Sequence, residues 1–199
     1  MESKTTANKN KLYPVFLKLE KLELLLVGAG NVALEKLNSF LSNSPGANIT
    51  IIAPYVKEGI RELLQNHPSC SLVQRSFEET DLENKDLVVL ATDNPALHRQ
   101  IKALAEKRGV LVNVADTPEL CDFYLGSIVQ KGNLKIAIST NGKSPTTAKR
   151  IREFLDNTIP DEVDELVNNL HQIRNKIKGD FAEKVKQLNA YTKTLVEKK

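Results

Sequence analysis

Apolar residues fall in short, nearly unbroken runs over the first two-thirds of the chain. Stretches with three- and four-residue apolar spacing separate them. The runs 23–27 (ELLLV), 48–53 (NITIIA), 70–77 (CSLVQRSF), 86–91 (DLVVLA) and 110–115 (VLVNVA) predict strands. The stretches 31–43, 56–66 and 94–108 predict helices. The last has well-marked ends: Asp93 or Asn94 can cap it, Pro95 suits its first turn, and Gly109 after Lys107 and Arg108 stops it. Strands that are continuously apolar and alternate with helices imply βαβ units and a parallel sheet buried on both faces. The expected fold class is α/β, doubly wound.

After residue 125 the pattern changes. SIVQK and LKIAIST, joined by Gly132-Asn133, predict a hairpin with no intervening helix. In TNGKSPTTAKRIREFLDN, Ser144 can cap a helix that has Pro145 in its first position. Pro160 interrupts, and 161–178 and 180–197 read as two charged helices separated by Gly179, their charges forming solvated faces around an apolar stripe. With few aromatics there, a free-standing core is not expected.

Composition narrows the function classes. The 41% hydrophobic and 27% charged residues are those of a soluble globular chain, and no stretch approaches the ~20 apolar residues of a membrane span. The start MESKTTANKNK lacks the apolar region of a signal peptide, which points to the cytoplasm. A net charge of +3 is too small to suggest nucleic acid. The basic excess gathers at 143–152 (KSPTTAKRIR), which has no carboxylate. Cys70 and Cys121 form no CxxC, so neither a disulfide framework nor a metal site is expected. His67, His98 and His171 have no ligand spacing and read as surface residues, and Cys121 reads as a small buried one.

The candidate chemistry begins at Gly28-Ala29-Gly30-Asn31-Val32-Ala33, a G-x-G-x-x-A between a strand and a helix. The first glycine permits the turn, the second lets backbone approach a pyrophosphate, and Ala33 lets helix and strand pack closely. The free N–H groups of the helix start then face the phosphates. The acid that often ends the second strand and bonds the ribose is absent: Ile52-Ala53-Pro54-Tyr55 has no carboxylate before Glu58. Either backbone around Pro54 holds the ribose or no dinucleotide binds. The lack of an arginine there favours NAD over NADP. Beyond the turn, the fourth strand ends Ala91-Thr92-Asp93 and the fifth Val114-Ala115-Asp116. Ligands of open parallel sheets sit at such ends. Asp93 reads as a helix cap; Asp116 can open a turn or accept a proton.

YPVFLKLEKLELLLVGAGNVALEK, VVLATDNPALHRQ and VNVADTPELCDFYLGSIVQKGNLKIAISTNGKSPTTAKRIRE together resemble the precorrin-2 dehydrogenase family, the NAD-dependent module of siroheme biosynthesis. The resemblance runs from Tyr13 to Pro160. It implies a Rossmann-type NAD-binding domain over 11–125, a dimerisation region over 126–157 and a helical C-terminal region over 158–199. It also implies a homodimer that oxidises precorrin-2 to sirohydrochlorin, with NAD as cofactor. With no methyltransferase sequence following, the free-standing form is expected, beside a separate uroporphyrinogen methyltransferase. By position, the family's essential aspartate is Asp116. Its cofactor contacts fall on Gly28, Gly30, Asn31, Val32, Pro54, Tyr55 and Thr92, so the missing acid no longer counts against NAD. The tetrapyrrole loop implies substrate contacts at Thr140, Gly142, Lys143, Ser144, Lys149 and Arg150, where cations can pair with the substrate's carboxylates. Several positions depart from the family pattern: Thr140 replaces a serine that can be phosphorylated, Asn141 a common glycine, Gly126 a proline and His98 a frequent asparagine. Two alternatives stand beside this reading: a bifunctional dehydrogenase that also inserts ferrous iron, and a non-catalytic nucleotide-sensing module.

Overall fold

In the computed structural model, residues 10–178 and 180–192 are described. They divide into two compact units. The first runs to Leu125 and takes in Asn141–Lys143. The second comprises Gly126–Thr140 and the chain from Ser144 onward.

The first unit is built on five parallel strands: β1 (Glu23–Val27), β2 (Asn48–Ile52), β3 (Cys70–Val73), β4 (Leu87–Leu90) and β5 (Leu111–Val114). Their order is β3-β2-β1-β4-β5, so the winding direction reverses at β1. Alternation along the central strands sends side chains to both faces. Leu24, Leu26, Ile49, Ile51, Leu87 and Val89 pack with α1 (Asn31–Asn43) and α2 (Glu58–Leu64). On the opposite face Leu25, Val27, Val88, Leu90, Val112 and Val114 pack with α3 (Pro95–Arg108). All four residues of β4 are buried, the mark of a strand covered on both sides.

The α/β class and the five strands agree with the sequence pattern, and α1 has the predicted bounds. The third strand is shorter than the predicted 70–77. It pairs only with β2, along Ile49–Ile52, and beyond Val73 there is no β2 left to pair with. Arg75 then turns aside and grips Asp81 with two bonds of 2.8 and 2.6 Å. Burial opposes ionisation of Asp81, but those bonds outweigh it and hold the carboxyl below its ordinary range. Asn94 rather than Asp93 caps α3, its Oδ1 accepting from the N–H groups of Ala96 and Leu97. Pro95 takes the first position, and Gly109 closes the helix at φ 70°.

In the second unit, β6 (Ser127–Lys131) and β7 (Leu134–Ile138) form the expected hairpin around Gly132-Asn133. Helices α4 (Pro145–Thr158), α5 (Val163–Lys176) and α6 (Phe181–Thr192) follow, and α4 is capped by Ser144. Residues 193–197 of the last predicted helix, and Gly179 before it, lie outside the described residues. Among the described residues, Val129 and Ala148 are the unit's buried hydrophobics. Its ties are largely polar: Asp164 accepts from Asn133 N and Nδ2 at 2.6 and 2.8 Å, and Lys131 donates to Asp161 at 2.8 Å. No described helix is long and apolar enough to cross a membrane.

Replacement Asn94→Ala should cost about 1 kcal/mol of stability by leaving two N–H groups uncapped, whereas Asp93→Ala should leave stability nearly unchanged. Urea unfolding of both variants checks this.

Candidate functional site

A cleft of about 980 Å3 opens at the carboxyl ends of the parallel strands. Each strand feeds residues into it: Gly28–Val32 after β1, Ala53–Tyr55 after β2, Ser76 and Phe77 beyond β3, Ala91–Pro95 after β4, and Ala115–Thr117 after β5. The cleft lies where the strand order reverses, the usual ligand position in such sheets.

The two glycines of the turn serve different needs. Gly28 has φ 106°, and a Cβ there would sit 2.4 Å from the carbonyl oxygen of Ala91. The fold itself therefore demands glycine at this position. Gly30 has an ordinary φ of −89° and no atom within 4 Å of a would-be Cβ. Nothing in the protein requires its bareness, which leaves room for a ligand. The start of α1 is likewise kept open: no side chain caps it, and no acid occupies its first turn. The first-turn N–H groups and the positive end of the helix dipole suit an anion. These features fit a dinucleotide pyrophosphate.

The predicted cofactor positions Gly28, Gly30, Asn31, Val32, Pro54, Tyr55 and Thr92 all line this cleft, and so does Asp116. Asp116 is exposed, with φ 56°, in the left-handed region that Asp tolerates better than most residues. The chain after it is pinned back to β5. Asp122 accepts from Val112 N at 2.9 Å and from Lys102 Nζ at 2.6 Å. Cys121 Sγ accepts from Val114 N at 3.2 Å, and buried Asn113 donates to the Phe123 carbonyl at 2.9 Å. Burial pushes the Cys121 thiol above its ordinary value, in keeping with a packing role.

His98 corrects the surface reading of the histidines. It is 4% exposed, lines the cleft floor, and its Nε2 lies 2.8 Å from Thr92 Oγ1. Burial lowers its pKa below the ordinary 6.5. Its spacing to Ile101 and Ala105, the buried stripe of α3, was the signal available in sequence. Ser76 and Phe77 also escaped sequence reasoning, because their place depends on where β3 ends.

The substrate positions form a loop and a helix start. Asn141 and Gly142 both have positive φ, 57° and 72°, which accounts for glycine being common at the former. Thr140 Oγ1 donates to the Ser144 carbonyl at 3.1 Å and accepts from Ser144 N at 3.2 Å, while Ser144 Oγ accepts from Thr147 N. These hydroxyls close the loop. Lys143, Lys149 and Arg150 are exposed, and Arg150 pairs with Glu153 at 2.9 Å. Among the described residues no group of three His, Cys, Asp or Glu could hold a metal ion.

The fold and cleft define a nucleotide-binding module of the NAD type. Residues 15–127 match the family described as "Putative NAD(P)-binding", and residues 131–158 match "Sirohaem biosynthesis protein central". Siroheme synthase of Psychrobacter arcticus is 36% identical over 84% of this chain and 30% of its own length. That of Nitrosococcus oceani is 38% identical over 83% of this chain and 35% of its own length. The chain thus spans about a third of the length of these curated relatives. The solved structure "SirC, precorrin-2 dehydrogenase" superposes with a TM-score of 0.73 at 26% identity, over 94% of this chain and 90% of that one. The chain belongs to the NAD(P)-binding family, and it is similar to siroheme synthases and to the precorrin-2 dehydrogenase SirC.

Two outcomes test the site. Gly28→Ala should destabilise the fold by about 2 kcal/mol or more, because both its φ and its contact with Ala91 oppose a side chain. Gly30→Ala should leave unfolding unchanged yet weaken NAD binding at least about tenfold, by calorimetric titration. For His98, a lowered folded pKa means its contribution to stability is present above the unfolded value of 6.5 and lost as pH falls through the folded one. Urea midpoints should therefore fall between about pH 7 and 5, and less so in His98→Asn.

Proposed function

We propose that the chain catalyses the NAD-dependent oxidation of precorrin-2 to sirohydrochlorin. The observation that carries this reading is the convergence of Asp116 and the glycine turn on one cleft, in a chain that matches an NAD(P)-binding family over 15–127 and a sirohaem biosynthesis family over 131–158. Bound NAD supplies the hydride acceptor. The backbone of Gly30–Val32 holds the pyrophosphate, and Pro54 and Tyr55 border the adenosine ribose. Thr92, fixed by His98, faces the cofactor near the end of β4. Asp116 takes the proton that leaves as the substrate gives up hydride, then releases it to solvent. The balance is two electrons and one hydrogen to the cofactor and one proton to the carboxylate.

Lys143, Lys149 and Arg150 pair with substrate carboxylates, and Thr140, Gly142 and Ser144 shape the loop that presents them. The 126–157 region forms a homodimer, for which the exposed Ile151 and Phe154 on α4 are support. A uroporphyrinogen methyltransferase activity supplies the substrate in the cytoplasm. Ferrous iron insertion into the product, if the same module performs it, uses iron as substrate.

The test is anaerobic incubation with precorrin-2 and NAD, following NADH and sirohydrochlorin, then addition of ferrous or cobaltous ion. Stoichiometric NADH is expected, with turnover in Asp116→Asn reduced at least about a hundredfold and NAD affinity nearly kept. Binding of NAD without any oxidation would replace this reading with that of a nucleotide sensor.

A further inference from the structure

The acid-free end of β2 acquires its charge from another element. Lys57, just before α2, donates from Nζ to Asn31 Oδ1, and Asn31 lines the cleft beside Gly30. The Lys57 backbone N donates to the Ala29 carbonyl at 3.0 Å, which ties this residue to the glycine turn. Arg61, four residues on, donates from Nη2 to Gln74 Oε1 at 2.6 Å. Gln74 Nε2 in turn donates to the Pro54 carbonyl at 3.3 Å. Lys57 is the N-cap residue of α2, and Arg61 lies one turn into the helix. Both are held by neutral amides rather than by carboxylates, and among the described residues neither forms an ion pair. The cleft's own carboxylates, Asp93 and Asp116, follow β4 and β5, on the other side of β1.

An NAD-selective site of this fold bonds the adenosine ribose with an acid at the end of β2, and that acid also repels a 2′-phosphate; an arginine nearby does the reverse. Here the repulsive element is missing, and two cations lie one hydrogen-bonded step behind the cleft wall: Lys57 on Asn31, and Arg61 on the Gln74 that bonds Pro54. We infer that the cleft accepts NADP as well as NAD, with Lys57 and Arg61 as the residues that set its tolerance for the 2′-phosphate. This rests on the dinucleotide reading of the cleft. Because both cations are near solvent, their attraction is modest and screened by salt, so the outcome is dual use rather than selection of NADP.

The experiment is calorimetric titration of the full chain with NADH and with NADPH. The two dissociation constants should lie within about tenfold of each other, and added salt should weaken NADPH more than NADH. Lys57→Gln and Arg61→Gln should each raise the NADPH-to-NADH ratio of dissociation constants about threefold to tenfold, and Arg61→Lys should restore most of the loss. Pro54→Asp, which places the absent acid at the strand end, should raise the ratio further. Normal NADH binding with no detectable NADPH binding would overturn the inference, as would a ratio unmoved by both glutamine variants. If neither nucleotide binds, the dinucleotide reading itself falls and takes this one with it.

Discussion

Where the chain leaves β1, it passes so close to the end of β4 that residue 28 has no room for a side chain, and the rest of the first unit follows from that passage. β1 is the central strand, paired to β2 on one side and β4 on the other. Its exit must clear the Ala91 carbonyl, and the missing Cβ of Gly28 lets it do so. The turn completes in three residues, Gly28 to Gly30, and α1 starts at Asn31 with no side-chain cap. One steric requirement thus closes the sheet and aims a row of donors into the cleft. Packing and anion recognition share a cause here, which is why the glycine turn reads so clearly.

What the sequence made legible follows how strongly one local force dominates each segment. Central strands, buried on both faces, stand out as unbroken apolar runs. The edge strand β3 does not, because its length is set by the end of β2 rather than by its own residues. Asp93 and Asn94 both carry an acceptor suited to capping, and only backbone geometry selects Asn94. His98 is one of three histidines without ligand spacing, and its place on the Ile101–Ala105 stripe of α3 is what marks it as buried. Gly28, Gly30 and Asp116 stand out because they end strands of a parallel sheet, whereas Asn31, Val32, Pro54, Tyr55 and Thr92 as cofactor contacts are what the family resemblance implies. The roles of Lys57 and Arg61 could not be read in either way, since Gln74 reaches Pro54 only after β3 has docked beside β2.

The second unit follows a different economy. A two-stranded hairpin is marginal by itself in water. Here it is tied to α4 through Lys131 and Asp156, and to α5 and the turn before it through Lys131, Asn133, Asp161 and Asp164, rather than through a large apolar core. Polar ties at the surface set orientation more than they add stability. With Ile151 and Phe154 left exposed on α4, this arrangement has unused capacity to bury apolar surface against a partner.

The left-handed backbone at Asp116 narrows which residues the position can hold, independently of chemistry. At φ 56° a β-branched or bulky side chain is strained, whereas Gly, Asn and Asp fit with little penalty. Of these, Asp alone brings a charge. Lengthening the side chain to Glu would both move the carboxylate and trade away a residue that favours this conformation. Drift at the end of β5 is therefore confined by steric filtering to a very small set of residues, and the one acidic member of that set is the one present.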